Sequence, residues 1–489
     1  MIEIGAKRLT VADVHAVARE GAPAGLAPAA AARIGVAHQV LLELMREGAP
    51  IYGVSTGLGA AVDTNIRAEG EERQRRIPLA RAVGVGRRAA PDEVRAMIVA
   101  RVSRMACGCS GVSLATAEAL LALVQVEVTP VVAMTGSVGE ADLAPLAQIG
   151  AVLAGEGEAE FEGAVLPAAE ALARAGVGRP VFAAKDGLAL VSSNAASVGI
   201  GALVVRDAGV ALQAALAAVA LSIEGFRGSV APFDARASAL RGAPGQEAAA
   251  ARIRALLRGG DLSARRLQDP LSFRVAASVH GAAEEALEAA RAAVELELNT
   301  SDDNPAILVE DRIALPNANF DPTWFVLAFE QLGQAMLRIA AASAGRVMRL
   351  MSPGVSALPR FLVAASDGRN GFATVQKTVA ALVAQMQHRA APMPAVLIPV
   401  ADSIEDYGTM ATGIVEKTAE LVAELCLVTA IELMVAAQAC DLRGKVRLGE
   451  GTRAVHAAVR AVAPVLEQDR RTGPDIEALA ALVRDGAFG

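Results

Sequence analysis

The chain is short of basic charge: 46 Lys and Arg stand against 53 Asp and Glu, a net −7 over 489 residues. Phosphate neutralisation needs a basic surface, so nucleic acid is not the expected partner. Cysteine is sparse, at four residues. Cys107, Cys109, Cys426 and Cys440 form neither a disulfide framework nor a zinc-ligand spacing, which points to a reducing cytoplasm. The five His fall in no metal-ligand pattern; His280 with Glu284 is a single i,i+4 pair without the repeats of a di-iron bundle. No phosphate-binding or dinucleotide glycine fingerprint stands in a strand–turn–helix context. Metal and nucleotide cofactors are therefore not expected. An uninterrupted membrane span is missing too. Sixteen uncharged residues separate Asp207 from Glu224, short of the roughly 20 that a span needs. The nineteen between Asp186 and Arg206 include Ser192, Ser193, Asn194 and Ser197, groups that are costly in lipid. Both stretches read as buried core helices of a soluble protein, and no apolar leader opens the chain at Met1 to Thr10.

What is present is apolar and helical. Hydrophobic residues make up 53% of the chain, ample for a large core and too many for disorder. Ala, Leu, Glu and Arg dominate, with apolar residues at three- and four-residue spacings. Thr10 is an N-cap candidate, and a second helix runs from about Ala29 to Glu47. Pro91 suits the first turn of a helix reaching Met105, and Ser113 opens another to about Val126. Long helical stretches cover Phe325 to Met351, Phe372 to Arg389 and Met410 to Leu442. Strand signals are short: Val128 to Ala133 and Ala306 to Ile313. The fold class is mainly α, a long-helix bundle with a smaller loop-rich N-terminal domain at about residues 1–190 and the bundle at 191–489.

Aromatic residues amount to 3% of the chain, and Tyr occurs only twice, at Tyr52 and Tyr407. Both lie in polar or Gly-rich segments. Tyr52-Gly53-Val54-Ser55-Thr56-Gly57-Leu58-Gly59 can bend to bring a phenol into a cleft. In Gly136-Ser137-Val138-Gly139-Glu140-Ala141-Asp142-Leu143-Ala144-Pro145, Asp142 reads as the cap of a helix whose free N–H groups face the Gly loop. Arg274, after Gln268-Asp269-Pro270-Leu271, can grip a carboxylate bidentately, although a surface Arg is the commoner reading of such a position. Asn299 to Pro305 is a dense polar turn, and Ser403 to Tyr407 sets Glu405 and Asp406 before a long helix.

In this order, over nearly the whole chain, these segments resemble the histidine/phenylalanine ammonia-lyase family of aromatic amino acid lyases. Tyr52-Gly53-x-x-Thr56-Gly57-x-Gly59 resembles that family's catalytic-Tyr loop, and Gly136 to Gly139 with Asp142 to Ala147 resembles the flanks of its cofactor loop. Gln268 to Arg274, Asn299 to Pro305, Asn319-Phe320, Glu405-Asp406 and Asp441-Leu442-Arg443 fall at matching places. The resemblance implies a mostly helical homotetramer whose active sites combine loops from several subunits. It makes Tyr52 the base, Arg274 the carboxylate clamp, Glu405 an acid and Phe320 an apolar wall, with Leu58, Leu271 and Ser192 along the substrate.

The sequence departs from the family at several places. The family forms a methylidene-imidazolone from an internal Ala-Ser-Gly triplet, but only Glu140-Ala141 stands between the flanks here. Leu271, Ser192, Ala195 and Ile404 replace the family's Tyr, Asn, Gln and Gln, and Ala80-Arg81-Ala82 replaces Ser-His-Ala. The expectation is an enzyme without that cofactor, in the cytoplasm, with Glu140 as a second acid or base. General acid–base catalysis contributes about 10²–10⁴-fold. The expected substrate is therefore a small organic acid or acyl thioester that supplies its own activation, for proton transfer, elimination, conjugate addition or cyclisation. The alternatives are a non-catalytic scaffold and, third, a genuine ammonia-lyase. Arg73, Arg75, Arg76, Arg81, Arg87 and Arg88 crowd one stretch near the mouth; the leading reading is a charged loop balanced by Glu69, Glu71 and Glu72, with docking of a phosphate-bearing carrier as the alternative.

Overall fold

In the computed structural model, residues 1–64, 70–261, 263–363, 368–395, 398–444 and 446–489 are described. The protein is mostly helical, with 59% helix and 7% strand, as the apolar spacing predicts. Local chemistry sets the helix ends. Thr10 and Asp13 form a capping box at Val11–Glu20, and Gly21 closes it at φ 68°. Pro91 opens Pro91–Met105, where Glu93 reaches back to the Ala90 N–H at 2.7 Å. The Ser113 hydroxyl accepts from the Thr116 N–H ahead of Leu114–Gln125. The long helices Thr323–Leu350, Val375–Arg389 and Ala411–Leu442 stand within a few residues of their predicted limits.

Two predicted strands differ. The Val128 to Ala133 patch splits into Thr129–Pro130 and Ala133–Thr135, which pair with different partners. Ala306 to Ile313 is a hairpin, Ala306–Leu308 against Ile313–Leu315. The Ala133–Thr135 strand pairs antiparallel with Val85–Arg88 and leads into the Gly136 turn.

The chain forms two units. The first comprises Met1–Arg206, Arg291–Ala328 and Met393–Glu416; the second comprises Asp207–Ala290, Phe329–Pro392 and Lys417–Gly489. In the first, Leu143–Leu153 is almost wholly buried and packs on the helices Gly70–Arg81 and Asp186–Val191. In the second, Phe226 stacks on Phe273 at 4.3 Å. There Glu432 is buried between the Arg346 guanidinium, whose Nη2 lies at 2.8 Å, and the Ser222 hydroxyl at 2.7 Å. The stretch Asp186–Phe226 is long and apolar enough to cross a membrane, yet 94% of its most apolar window is buried within the protein. It is core, as its serines and Asn194 suggest. All four cysteines are free thiols.

Candidate active site

The Tyr52 loop is held from beneath. Its turn closes with the Ile51 N–H on the Ser55 hydroxyl at 2.7 Å and the Ser55 N–H on the Ile51 carbonyl at 2.9 Å. Gly53, at φ +71°, leaves no room for a side chain: a Cβ would stand 2.5 Å from Leu188 and 2.7 Å from Leu58. Arg73 donates to the carbonyls of Val54 and Thr56, and Gln74 bridges this loop to the Gly187 N–H at 3.0 Å. Gly59 then turns its N–H onto the Tyr52 phenol oxygen at 3.0 Å. The phenol oxygen thus accepts a backbone hydrogen bond, an interaction that strengthens as negative charge builds on it.

Opposite lies the Gly136 to Asp142 turn. Ala141 sits at φ +74°, its N–H donating to Asn194 Oδ1 at 3.1 Å while its carbonyl accepts from the Ser137 hydroxyl at 2.8 Å. Thr409 and Met410 grip the other side, on the carbonyls of Gly139 and Val138 at 2.9 and 2.8 Å. Asp142 stands at the N-cap position of Leu143–Leu153, as the sequence reading has it, but its side chain makes no capping hydrogen bond. Its carboxylate is turned inward to the N–H and hydroxyl of Ser197, at 2.7 and 2.8 Å. Burial pushes that carboxyl up to about 6 against the opposing Ser197 bonds.

Beneath both turns is a polar core that sequence reasoning missed. Asn299 to Pro305 reads as turn chemistry, but Asp302 and Asp303 are fully buried anchors. Asp302 takes the Ser193 hydroxyl at 2.7 Å and the Asn194 N–H at 2.8 Å, and it pairs with Arg104. Asp303 takes Arg101 at 2.9 Å and Lys185 at 3.4 Å. Buried charges of this kind are tolerated only when paired. The legible signal was the coincidence of a double Asp with Arg101, Arg104 and Lys185 inside otherwise apolar helices.

These elements enclose a cavity of about 850 Å³ in the first unit. Tyr52, Glu140, Glu405, Phe320, Leu58 and Ser192 all line it, with Arg81, Ile404, Asp406 and Tyr407. Leu271 and Arg274 do not. They are exposed in the second unit, beside a separate groove of about 370 Å³ with Gln268 and Asp269. The structure therefore brings six of the eight sequence-predicted site residues together and leaves two apart.

Glu140 projects from its turn into the cavity, with Oε1 buried and unbonded among the described residues. Burial pushes its carboxyl up to about 8; Asp321, Asp142 and Glu405 add to this, and the Thr409 N–H opposes it. The arginine crowd is largely spent elsewhere: Arg75 pairs with Glu156, Arg76 with Glu72, and Arg87 with Glu93 and Glu416. Arg81 alone of that crowd lines the cavity. Among the described residues no group of three or more His, Cys, Asp or Glu is arranged to hold a metal ion.

Comparison with known proteins corrects the functional expectation. The model of the Aromatic amino acid lyase family matches residues 9–461. A histidine ammonia-lyase of Symbiobacterium thermophilum is 38% identical over 99% of this chain and 97% of its own length. The ergothioneine-degrading enzyme ergothionase of Treponema denticola superposes with a TM-score of 0.95 at 30% identity, covering 100% of this chain and 99% of that one. Histidine ammonia-lyase from Trypanosoma cruzi superposes at 0.92 and 30% identity, covering 100% and 94%. Full-length relatives of this kind overturn two expectations: the cofactor-independent enzyme acting on a self-activated acid or thioester, and the non-catalytic scaffold. They point instead to a genuine ammonia-lyase that uses the methylidene-imidazolone. At the turn itself, Glu140 and Ala141 carry no serine hydroxyl and no glycine nitrogen, and the neighbouring Ser137 hydroxyl is committed to the Ala141 carbonyl. These residues do not fit the group as the family builds it, and no step below is routed through it. By a family match over residues 9–461, by identity along 99% of its length and by fold, this chain belongs to the aromatic amino acid lyase family.

Proposed function

We propose that the protein is an amine-lyase acting on a histidine-like α-amino acid. The observation that carries this reading is the 38% identity to a histidine ammonia-lyase along 99% of the chain. In the reaction, Tyr52 takes the β-proton. The C–H electron pair becomes the new C=C bond, and the C–N bond breaks with its pair leaving on the amine. The Gly59 N–H supports charge on the Tyr52 oxygen whenever the base is ionised. Phe320 and Leu58 form apolar walls for a ring, Ser192 offers it a hydroxyl, and Glu405 orients the amine side. Arg274 receives the carboxylate from a second copy of the chain in a homotetramer.

Glu140 favours a second reading within the same chemistry, a betaine substrate such as ergothioneine. A carboxyl whose Oε1 is buried without a hydrogen-bond partner among the described residues, and which interacts with Asp321 and Glu405, gives this end of the cavity an excess of acid groups, which suits a permanent cation. A quaternary nitrogen also has no proton to lose to the base, so it stays a leaving group. The ergothioneine-degrading relative supports this reading.

Incubating the purified protein with L-histidine and with ergothioneine, while following the conjugated acid and the released amine, tests both. The expected result is turnover of one of them, with Tyr52→Phe lowering kcat by about 100-fold or more. Absence of product from both overturns the assignment.

A further inference from the structure

We infer that Tyr407 is the residue that makes this cavity selective for a quaternary ammonium group, through the face of its ring. The inference rests on the betaine reading of the site. Tyr407 is the aromatic residue of the lining to which the proposed reaction gives no part; Tyr52 and Phe320 are the others. Both tyrosines of a chain with 3% aromatic residues thus line one cavity. The Tyr407 hydroxyl lies 3.3 Å from Thr323 Oγ1, and Thr323 is not among the described residues that line the cavity. The hydroxyl is therefore turned out of the lining. The ring, on a residue that is 44% exposed, is what remains for a ligand.

The same contacts set Tyr407 at the acid end of the cavity. Thr323 donates its N–H to Asp321 Oδ1 at 2.8 Å. Two residues after Tyr407, the Thr409 N–H bonds the Glu140 carboxyl, and the Thr409 hydroxyl holds the Gly139 carbonyl at 2.9 Å. On its other side, Glu405 and Asp406 line the cavity. A quaternary nitrogen has no N–H to donate, so carboxylates attract it as charges and give it no fixed geometry. An aromatic face supplies both close contact with the methyl groups and attraction to the cation. A primary ammonium gains less, because it loses hydration at the ring and satisfies its donors on the carboxylates instead. Acid groups and ring together favour the trimethylated amine over the free one.

L-histidine and Nα,Nα,Nα-trimethyl-L-histidine differ only in three methyl groups and so isolate this preference. Their affinities are measured by isothermal titration calorimetry in Tyr52→Phe, which slows turnover, alone and combined with Tyr407→Phe, Tyr407→Trp or Tyr407→Leu. Circular dichroism confirms that each variant is folded. Tighter binding of the trimethylated ligand is expected. Its advantage over L-histidine should fall by about 3- to 10-fold in Tyr407→Leu and be kept in Tyr407→Phe and Tyr407→Trp, which retain a ring. Three results overturn the inference: no preference for the trimethylated ligand, a preference unmoved in folded Tyr407→Leu, or an equal loss in Tyr407→Phe, which would trace it to the hydroxyl. Turnover of L-histidine and ergothioneine by the protein with Tyr52 intact is assayed in parallel. Turnover with a preference unmoved in Tyr407→Leu leaves the lyase reading standing without Tyr407. A preference that falls in Tyr407→Leu, in a protein that consumes neither compound, keeps the Tyr407 assignment and sinks the lyase reading.

Discussion

Glu140 sits where charge is costly, and its titration follows from that placement. Its pKa is raised by burial to about 8, against about 4.3 for a free Glu. Between those values the unfolded chain has released a proton that the folded protein keeps. Stability therefore falls as pH rises from about 4.3 to about 8, and the loss is complete above the folded value. Glu140→Gln removes the titrating group, so it should raise the unfolding midpoint more at pH 8 than at pH 5. Thermal melts of both proteins at the two pH values check this, and an equal shift at both would show that Glu140 does not carry the raised pKa. An ammonium or quaternary ligand should reverse the effect locally, because a cation in the cavity favours the carboxylate.

At the scale of the element, the Gly136 to Asp142 turn is a clamp rather than a hinge. Gly139 has φ +90°, and a Cβ there would meet Thr409 Oγ1 at 2.4 Å and the backbone nitrogens of Met410 and Ala411 at 2.6 Å. Gly139→Ala should lower stability by about 2–4 kcal/mol, combining the cost of the left-handed conformation with overpacking. Adding Thr409→Ala should not restore it, since two of the three close atoms are backbone. Denaturation midpoints of the single and double variants decide this, and rescue by Thr409→Ala would mean that the side chain alone sets the geometry.

The turn also illustrates what the sequence conveyed and what it concealed. Caps and prolines act within one or two turns of chain, so Thr10, Pro91 and Ser113 marked their helices correctly. Tyr52, Glu140, Glu405 and Phe320 were legible because their flanking motifs resembled a known family, and the cavity gathers them. Asp142 stands where a cap belongs, while the partner of its side chain, Ser197, lies 55 residues on. The Arg101–Asp303 and Arg104–Asp302 pairs span still more chain. Partnerships of that length are set by packing, which local pattern does not encode. The functional expectation failed for a related reason: it weighed one shortened turn above the agreement of the whole chain with histidine ammonia-lyases.

At the scale of the whole molecule, the proposed homotetramer makes a prediction that one copy of the chain does not. Tyr52 lines the cavity of the first unit, whereas Arg274 is exposed in the second beside a different groove. If Arg274 of one copy serves Tyr52 of another, each complete site needs two chains. Tyr52→Phe and Arg274→Ala should then each be inactive alone, Tyr52→Phe through kcat and Arg274→Ala chiefly through KM. Mixed assemblies of the two variants should recover activity, because a site whose Tyr52 comes from an Arg274→Ala chain and whose Arg274 comes from a Tyr52→Phe chain is intact. Random mixing in equal amounts gives about a quarter of such sites in a closed symmetric assembly. If both residues of a site came from the same chain, mixing would restore none. Light scattering to establish the tetramer, followed by co-expression of the two variants under separate tags and assay of the doubly tagged fraction, gives the answer. Activity near a quarter of wild type supports shared sites, and a doubly tagged fraction that stays inactive confines each site to one chain.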